Sequence, residues 1–162
     1  MGVKYIMNNN YTIEDNGLYK DYDYLYEVLD SALEHEKVEM AAKFAAVHDN
    51  IIGFSEGYDT ISGERGVTLS GGQKQRVSIA RAYIKEAPIM IMDDSVSAVD
   101  VKTEETILNN IKEKRHNKTT LVIASRVSTV MHMDKIIVLN DGKLDAFGTH
   151  EELLKKSEIY QR

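Results

Sequence analysis

The 162-residue chain has no cysteine and a single proline, Pro88. Without thiols it forms neither a disulfide framework nor a thiolate metal site, a composition compatible with a reducing cytosol. No uninterrupted apolar run exceeds five residues, far short of the ~20 that a membrane-spanning helix needs. The opening MGVKYIMNNNYT carries one lysine with no apolar segment behind it, so it does not read as a signal peptide. Any membrane role must therefore come through a partner. Basic charge is also scarce: the net charge is −6, which argues against a general nucleic-acid binder. The five histidines, His35, His48, His116, His132 and His150, show no metal-ligand spacing and read as structural or surface groups. What remains is ordinary for a globular protein, 43% apolar and 28% charged. The length suits one domain, or a piece of one, with a real core.

Composition shifts near residue 34. Six of the nine tyrosines fall in the first 26 residues beside the run NNN, without a period of 2 or 3.6. Residues 1–33 are left unassigned, as loop, frayed extension or partial helix. From about residue 24 to 47 the spacing turns helical, with Met40, Phe44, Val47 and Ile51 as the expected apolar face. GFSEGYDTISGERG, with four glycines, reads as a surface loop. Ser70 with Gln73 is a capping-box pattern, so a helix should open there, run through Val77, Ala80 and Ile84, and stop before Pro88. IMIM, TTLVIA and KIIVL are short apolar runs of the kind buried on both faces of a parallel sheet, and a helix near 102–115 should join the first two. NDG signals a hairpin returning as KLDAFG. Thr149 and Glu152 form a second capping box, opening a terminal helix that carries Leu153 and Leu154. Strands alternating with helices give an α/β class.

Chemistry gathers at two places. In VTLSGGQKQR, Gly71 and Gly72 stand at the positive end of the helix opened by Ser70, where an anion can approach without meeting a Cβ. Most Ser-Gly-Gly turns are only caps, so this stretch is weak by itself. In PIMIMDD, Asp93 and Asp94 leave a buried strand at the sheet edge where α/β proteins bind ligands. Asp93 suits a water-mediated contact to Mg²⁺. The plainer reading, that the pair ends a strand and caps the next helix, is favoured until the spacing is considered.

LSGGQ at 69–73, then QRVSIARA, then a strand ending in Asp93, then SAVD at 97–100, then TTLVIASR, closely resembles the ATP-binding cassette (ABC) family. EGYDTISGERG before the signature and DKIIVLNDGKLDAFGTHEELL at the end resemble exporter, multidrug-type cassettes. The likeness covers about residues 36–160. It implies a truncated P-loop NTPase-like sheet with flanking helices: a helical subdomain at about 34–87 and core strands and helices at about 88–162. It also implies ATP and Mg²⁺ as ligands, and a membrane transporter's cytoplasmic face as location. Ser70, Gly71, Gly72 and Gln73 match the signature, which in the family faces ATP held by a second nucleotide-binding domain. Ser97 and Asp100 match the D-loop, and Asp93 the Walker B aspartate that holds Mg²⁺ through water.

Several family features are missing. No G-x-x-x-x-G-K-[ST] loop occurs; the one Gly-Lys pair is Gly142-Lys143, in the hairpin. No glutamine precedes Gln73, so the Q-loop is absent too. Asp94 stands where most members carry a catalytic glutamate, and Ser125 where they carry the switch histidine. The two changes together are expected to weaken the γ-phosphate machinery, harmless drift in a working ATPase being the alternative. The sequence thus reads as the C-terminal part of an exporter nucleotide-binding domain with a degenerate site of its own, expected in a heterodimer with a second cassette and with transmembrane domains. A stand-alone non-catalytic module that regulates another cassette is the alternative. A chromosome-maintenance type of ATPase is disfavoured by the lack of heptad arms and by the acidic charge. Arg76 and Arg81 are expected to be solvated helix charges, with facing nucleotide or a neighbouring chain as the alternative; Met90 and Met92 are expected to be core, and Lys102 to Lys118 an exposed amphipathic helix with its turn.

Overall fold

The computed structural model describes residues 35–63 and 67–161. The unassigned segment 1–33 and the first part of the helix expected over 24–47 lie outside them. The chain divides into two compact units. Among the described residues one takes in the stretch up to Met90 together with Ser95–Thr119, and the other Ile91–Asp94 with the stretch from Thr120 onward.

In the first unit, helix α1 (His35–Phe44) packs on α3 (Gly71–Ile84). Its buried stripe is Val38, Ala41 and Ala42, continued by Ala45 just past the helix. That spacing is i, i+3, i+4 and i+7. Of the expected face, Phe44 and Val47 are buried, and the correction falls on Met40, which is 54% exposed and stands roughly 200° around the axis from Val38. The small alanines let the two helices approach, and Phe44 stacks on Tyr83 with ring centroids 3.7 Å apart. The helix also ends sooner than its spacing implied. Val47 N–H donates to Ala42 O (2.9 Å) and Ala46 N–H to Lys43 O (3.1 Å), the paired bonds of a Schellman stop. Ala46 fills the left-handed position, φ 54°, where glycine is usual. A short helix α2 (His48–Ile52) and a 3₁₀ turn (Gly57–Asp59) follow.

Helix α3 begins with the complete Ser70–Gln73 capping box and ends before Pro88, as its sequence predicts. Helix α4 (Val101–Lys114) buries Ile107 and Ile111 and leaves most of its length exposed. Strands β1 (Ile89–Asp93) and β2 (Thr119–Ile123) pair. Bonds from Thr119 N–H to Pro88 O and from Asp94 N–H to Ile123 O, 3.0 Å each, show that they run parallel with α4 as the crossover. Met90 and Met92 are core, as expected, but Ile89 and Ile91 are 54% and 56% exposed. The expectation of strands buried on both faces is therefore corrected for β1, which alternates as a sheet covered on one face does. Arg115 is buried, its Nη2 donating to Ala87 O (3.1 Å) and Thr119 O (3.3 Å).

In the second unit, β3 (Ile136–Asn140) and β4 (Lys143–Gly148) form an antiparallel hairpin. Asp141 and Gly142 both have positive φ, 50° and 74°, as the two-residue hairpin turn foreseen at NDG requires. Val138 pairs with Ala146 but Leu139 with Leu144, so Asp145 is the extra residue of a bulge. Its carboxylate accepts from Ser157 Oγ at 2.6 Å, and Ser157 Oγ accepts from Tyr160 N–H at 3.1 Å. This ties the tail after α6 (His150–Lys156) to the hairpin. The Thr149–Glu152 capping box is complete. Ala124, Val130, Ile136, Val138, Leu153 and Tyr160 make the core. Among the described residues no helix is long and apolar enough to cross a membrane.

Candidate functional site

The signature is built from local chemistry. Ser70 lies in extended backbone (φ −65°, ψ 162°). Its Oγ accepts from Gln73 N–H at 3.2 Å, and Gln73 Oε1 accepts from Ser70 N–H at 2.8 Å. Gly71 and Gly72 therefore form the first turn of a 14-residue helix, with Ser70 and Gly71 exposed. The two glycines are not equivalent. A Cβ on Gly71 would rest 3.7 Å from Ala98 Cβ, whereas one on Gly72 would stand 2.7 Å from Ala98 O. Gly72 thus lets the helix seat against the loop at 97–100, a reason for glycine beyond opening a path to an anion.

That loop is held on both sides. Val96 and Val99 are buried, and Val99 N–H donates to Val96 O at 3.3 Å. Asp100 is the N-cap of α4, accepting from Thr103 N–H (3.0 Å) and Thr103 Oγ1 (2.7 Å). The Thr103 hydroxyl, and next its backbone N–H, hold the Asp100 carboxyl below the usual carboxylate value. Between the valines, Ser97 and Ala98 are exposed and gripped by Gln75. Its Nε2 donates to Ser97 Oγ (2.9 Å) and its Oε1 accepts from Ala98 N–H (3.0 Å). The structure thus brings Ser70, Gly71, Gly72, Gln73, Ser97 and Asp100 into one unit.

Arg76 corrects its expectation of a solvated charge. It is half-buried, Nη1 donating to Ala46 O and Nε to Gly72 O at 3.3 Å. Burial lowers its pKa, and the Asp100 charge opposes that shift. The guanidinium thereby pins the first turn of α3 to the corner after α1.

The other candidates belong to the second unit. Asp93 ends β1 and is exposed. Asp94 is exposed and left-handed, φ 48°, with its N–H held by Ile123 O at 3.0 Å. Ser125 is exposed between β2 and the short helix α5 (Val127–Val130), with Ala124 and Thr129 buried around it. His48 Nδ1 meets Tyr58 Oη at 2.8 Å and His150 Nδ1 meets Tyr160 Oη at 2.9 Å, both half-buried, while exposed His116 Nδ1 meets Glu113 O at 3.1 Å. Among the described residues no cluster of three or more Asp, Glu, His or Cys side chains forms a metal cage. Sequence reasoning passed over Gln75 and Arg115 and misjudged Arg76. Their partners lie 4 to 30 positions away, and no periodicity announces them.

A capped Gly-Gly helix start is thus seated on the loop that follows β1. The ABC transporter family matches residues 4–97, and the chain belongs to it. It is 47% identical over 127 residues to YfiB of Bacillus subtilis, an uncharacterized ABC transporter ATP-binding protein, covering 78% of this chain and 22% of that one. A putative multidrug export ATP-binding/permease protein of Staphylococcus aureus is 47% identical over 131 residues, 81% of this chain and 22% of the relative. The β-(1→2)glucan export ATP-binding/permease protein NdvA of Brucella abortus is 48% identical over 122 residues, 75% and 20%. A solved bacterial Atm1-family ABC exporter with ATP bound superposes with TM-score 0.78 at 41% identity, covering 86% of this chain and 24% of that one. The chain spans about a fifth of the length of the curated relatives it matches. Its fold is α/β of the ABC ATPase type, a part of that sheet with flanking helices.

Proposed function

We propose that this chain is the signature-bearing part of an exporter's nucleotide-binding domain and that it completes the ATP site of a partner cassette. The observation that carries this reading is the formed first turn of α3, with Ser70 and Gly71 exposed beside the Ser97–Asp100 loop. Helix N-termini favour phosphate, because unpaired amides and the dipole point outward there. Ser70, Gly71, Gly72 and Gln73 meet the γ-phosphate of ATP held by the partner, and Ser97 and Asp100 lie at the same interface. Bound ATP supplies the phosphoryl group whose hydrolysis drives transport in this family. Asp93 offers one exposed carboxylate to a hydrated Mg²⁺. Among the described residues no group of three or more such side chains accompanies it; Asp93 would hold the ion through water, and the ion would supply positive charge to the nucleotide phosphates. At the chain's own site, Asp94 is a methylene shorter than the usual glutamate and Ser125 is uncharged. Both are poorly suited to orient water or steady the developing charge. The partners are a second, catalytically complete cassette in a heterodimer and the transmembrane domains, at a membrane's cytoplasmic face. A net charge of −6 makes nucleic acid a poor partner.

The test mixes the chain with a complete cassette domain carrying an intact G-x-x-x-x-G-K-[ST] loop and reads association by analytical ultracentrifugation. ATP with Mg²⁺ is expected to promote association. Gly71→Asp, placing a carboxylate where a phosphate should sit, is expected to weaken it by about tenfold or more. The purified chain alone should not turn over ATP, and Asp94→Glu should not restore turnover. Steady hydrolysis by the chain alone, lost in Asp93→Ala, overturns the reading.

A further inference from the structure

The tip of the loop before α4 is exposed at Ser97 and Ala98, so little apolar burial holds those two residues in place. Buried Val96 and Val99 anchor the flanks, but between them the chain needs polar contacts to keep one conformation. Gln75 supplies two. Because Ala98 N–H can only donate, the atom facing it at 3.0 Å must be the amide oxygen, which leaves Nε2 to donate to Ser97 Oγ at 2.9 Å. One planar group therefore reads a main-chain amide and the adjacent side chain together. It does so where Gly72, lacking a Cβ, lets α3 seat on the Ala98 carbonyl. Gln75 lies on α3 one turn past the two glycines.

We infer that Gln75 is a positioning residue that locks Ser97 and Ala98 to the first turn of α3, so that signature and D-loop meet the partner's nucleotide as one rigid piece. This role rests on the partner-site reading above. The lock itself belongs to this chain alone. Gln75 acts through the loop it holds. Glutamate at 75 keeps an acceptor for Ala98 N–H and a second acceptor to which the Ser97 hydroxyl can turn and donate. Leucine keeps the bulk and loses both bonds.

Amide hydrogen exchange of the full chain, read residue by residue by NMR, tests the lock. In Gln75→Leu the Ala98 amide is expected to exchange about tenfold faster, the worth of one hydrogen bond of about 1.4 kcal/mol. Gln75→Glu is expected to restore protection to within about threefold of native. The Gln73 and Thr103 amides, capped by Ser70 and Asp100, should stay within about twofold in both variants. Unchanged Ala98 exchange in Gln75→Leu overturns the lock. So does equal acceleration at Gln73, Ala98 and Thr103, which would mark general loosening. Association with the complete cassette domain in ATP and Mg²⁺ tests the consequence, with Gln75→Leu expected to bind about tenfold more weakly and Gln75→Glu near native. If the native chain associates and Gln75→Leu binds equally well, the positioning role fails while the partner-site reading stands. If the native chain does not associate, the partner-site reading fails and takes the role with it, whatever the exchange data say of the lock.

Discussion

The two signature glycines offer a paired perturbation that separates local packing from helix propensity. Neither lies at positive φ, so alanine is compatible with the backbone at both. At 71 the new Cβ meets Ala98 Cβ at 3.7 Å, an ordinary contact. Removing a glycine from the first turn should then stabilise the chain by about 0.5 kcal/mol. At 72 the new Cβ would stand 2.7 Å from a carbonyl oxygen, where ordinary contact begins at 3.4 Å. The backbone must therefore open by 3.4 − 2.7 = 0.7 Å. Overpacking against backbone costs about 1–3 kcal/mol, and the same propensity gain offsets only part of it. The two variants should differ by about 2 kcal/mol, or about 4–8 °C in Tm for a chain of this size. Circular dichroism melts, with urea midpoints as a second measure, decide the matter. A Gly72→Ala protein that melts within about one degree of Gly71→Ala would refute the close seating of α3 on Ala98.

Two further outcomes follow from the backbone and the caps. Ala46→Gly relieves a left-handed alanine at φ 54° and should raise stability by about 0.5–1 kcal/mol in urea titrations; an unchanged or lower midpoint would remove the Schellman account of where α1 stops. The Asp100 carboxyl is held below its usual value by the Thr103 hydroxyl and then by its N–H. The unfolded chain therefore binds that proton more readily. The contribution is present above the unfolded carboxylate's pKa, near ~4, and is lost as pH falls through the lower folded value. Asp100→Asn keeps a cap and loses the charge, so its Tm should fall less steeply than the native protein's below about pH 4. Parallel curves would show that the cap carries no such linkage.

Much of the local structure around the candidate site was legible because its parts are close in sequence. Ser70 and Gln73 are three residues apart, as are Thr149 and Glu152, and each pair closes on its own helix turn. The Asp141-Gly142 turn needs two positive φ values, which its residue types declare. The stop of α1 was hidden because an alanine, not a glycine, takes the left-handed place. A run such as IMIM announces a strand but not how many of its faces are covered, and Ile89 and Ile91 lie open.

The sequence by itself determined the α/β order, the capped signature helix, the hairpin and the family, since each rests on short-range spacing or on motifs in a set order. Tertiary structure alone decided which of two glycines is sterically required and that Arg76 leaves solvent for the Ala46 carbonyl. It also decided that Gln75 grips a loop 22 and 23 residues away. Those outcomes depend on which surfaces the fold brings within 3–4 Å, and hydrogen bonds and steric contacts act only at that range.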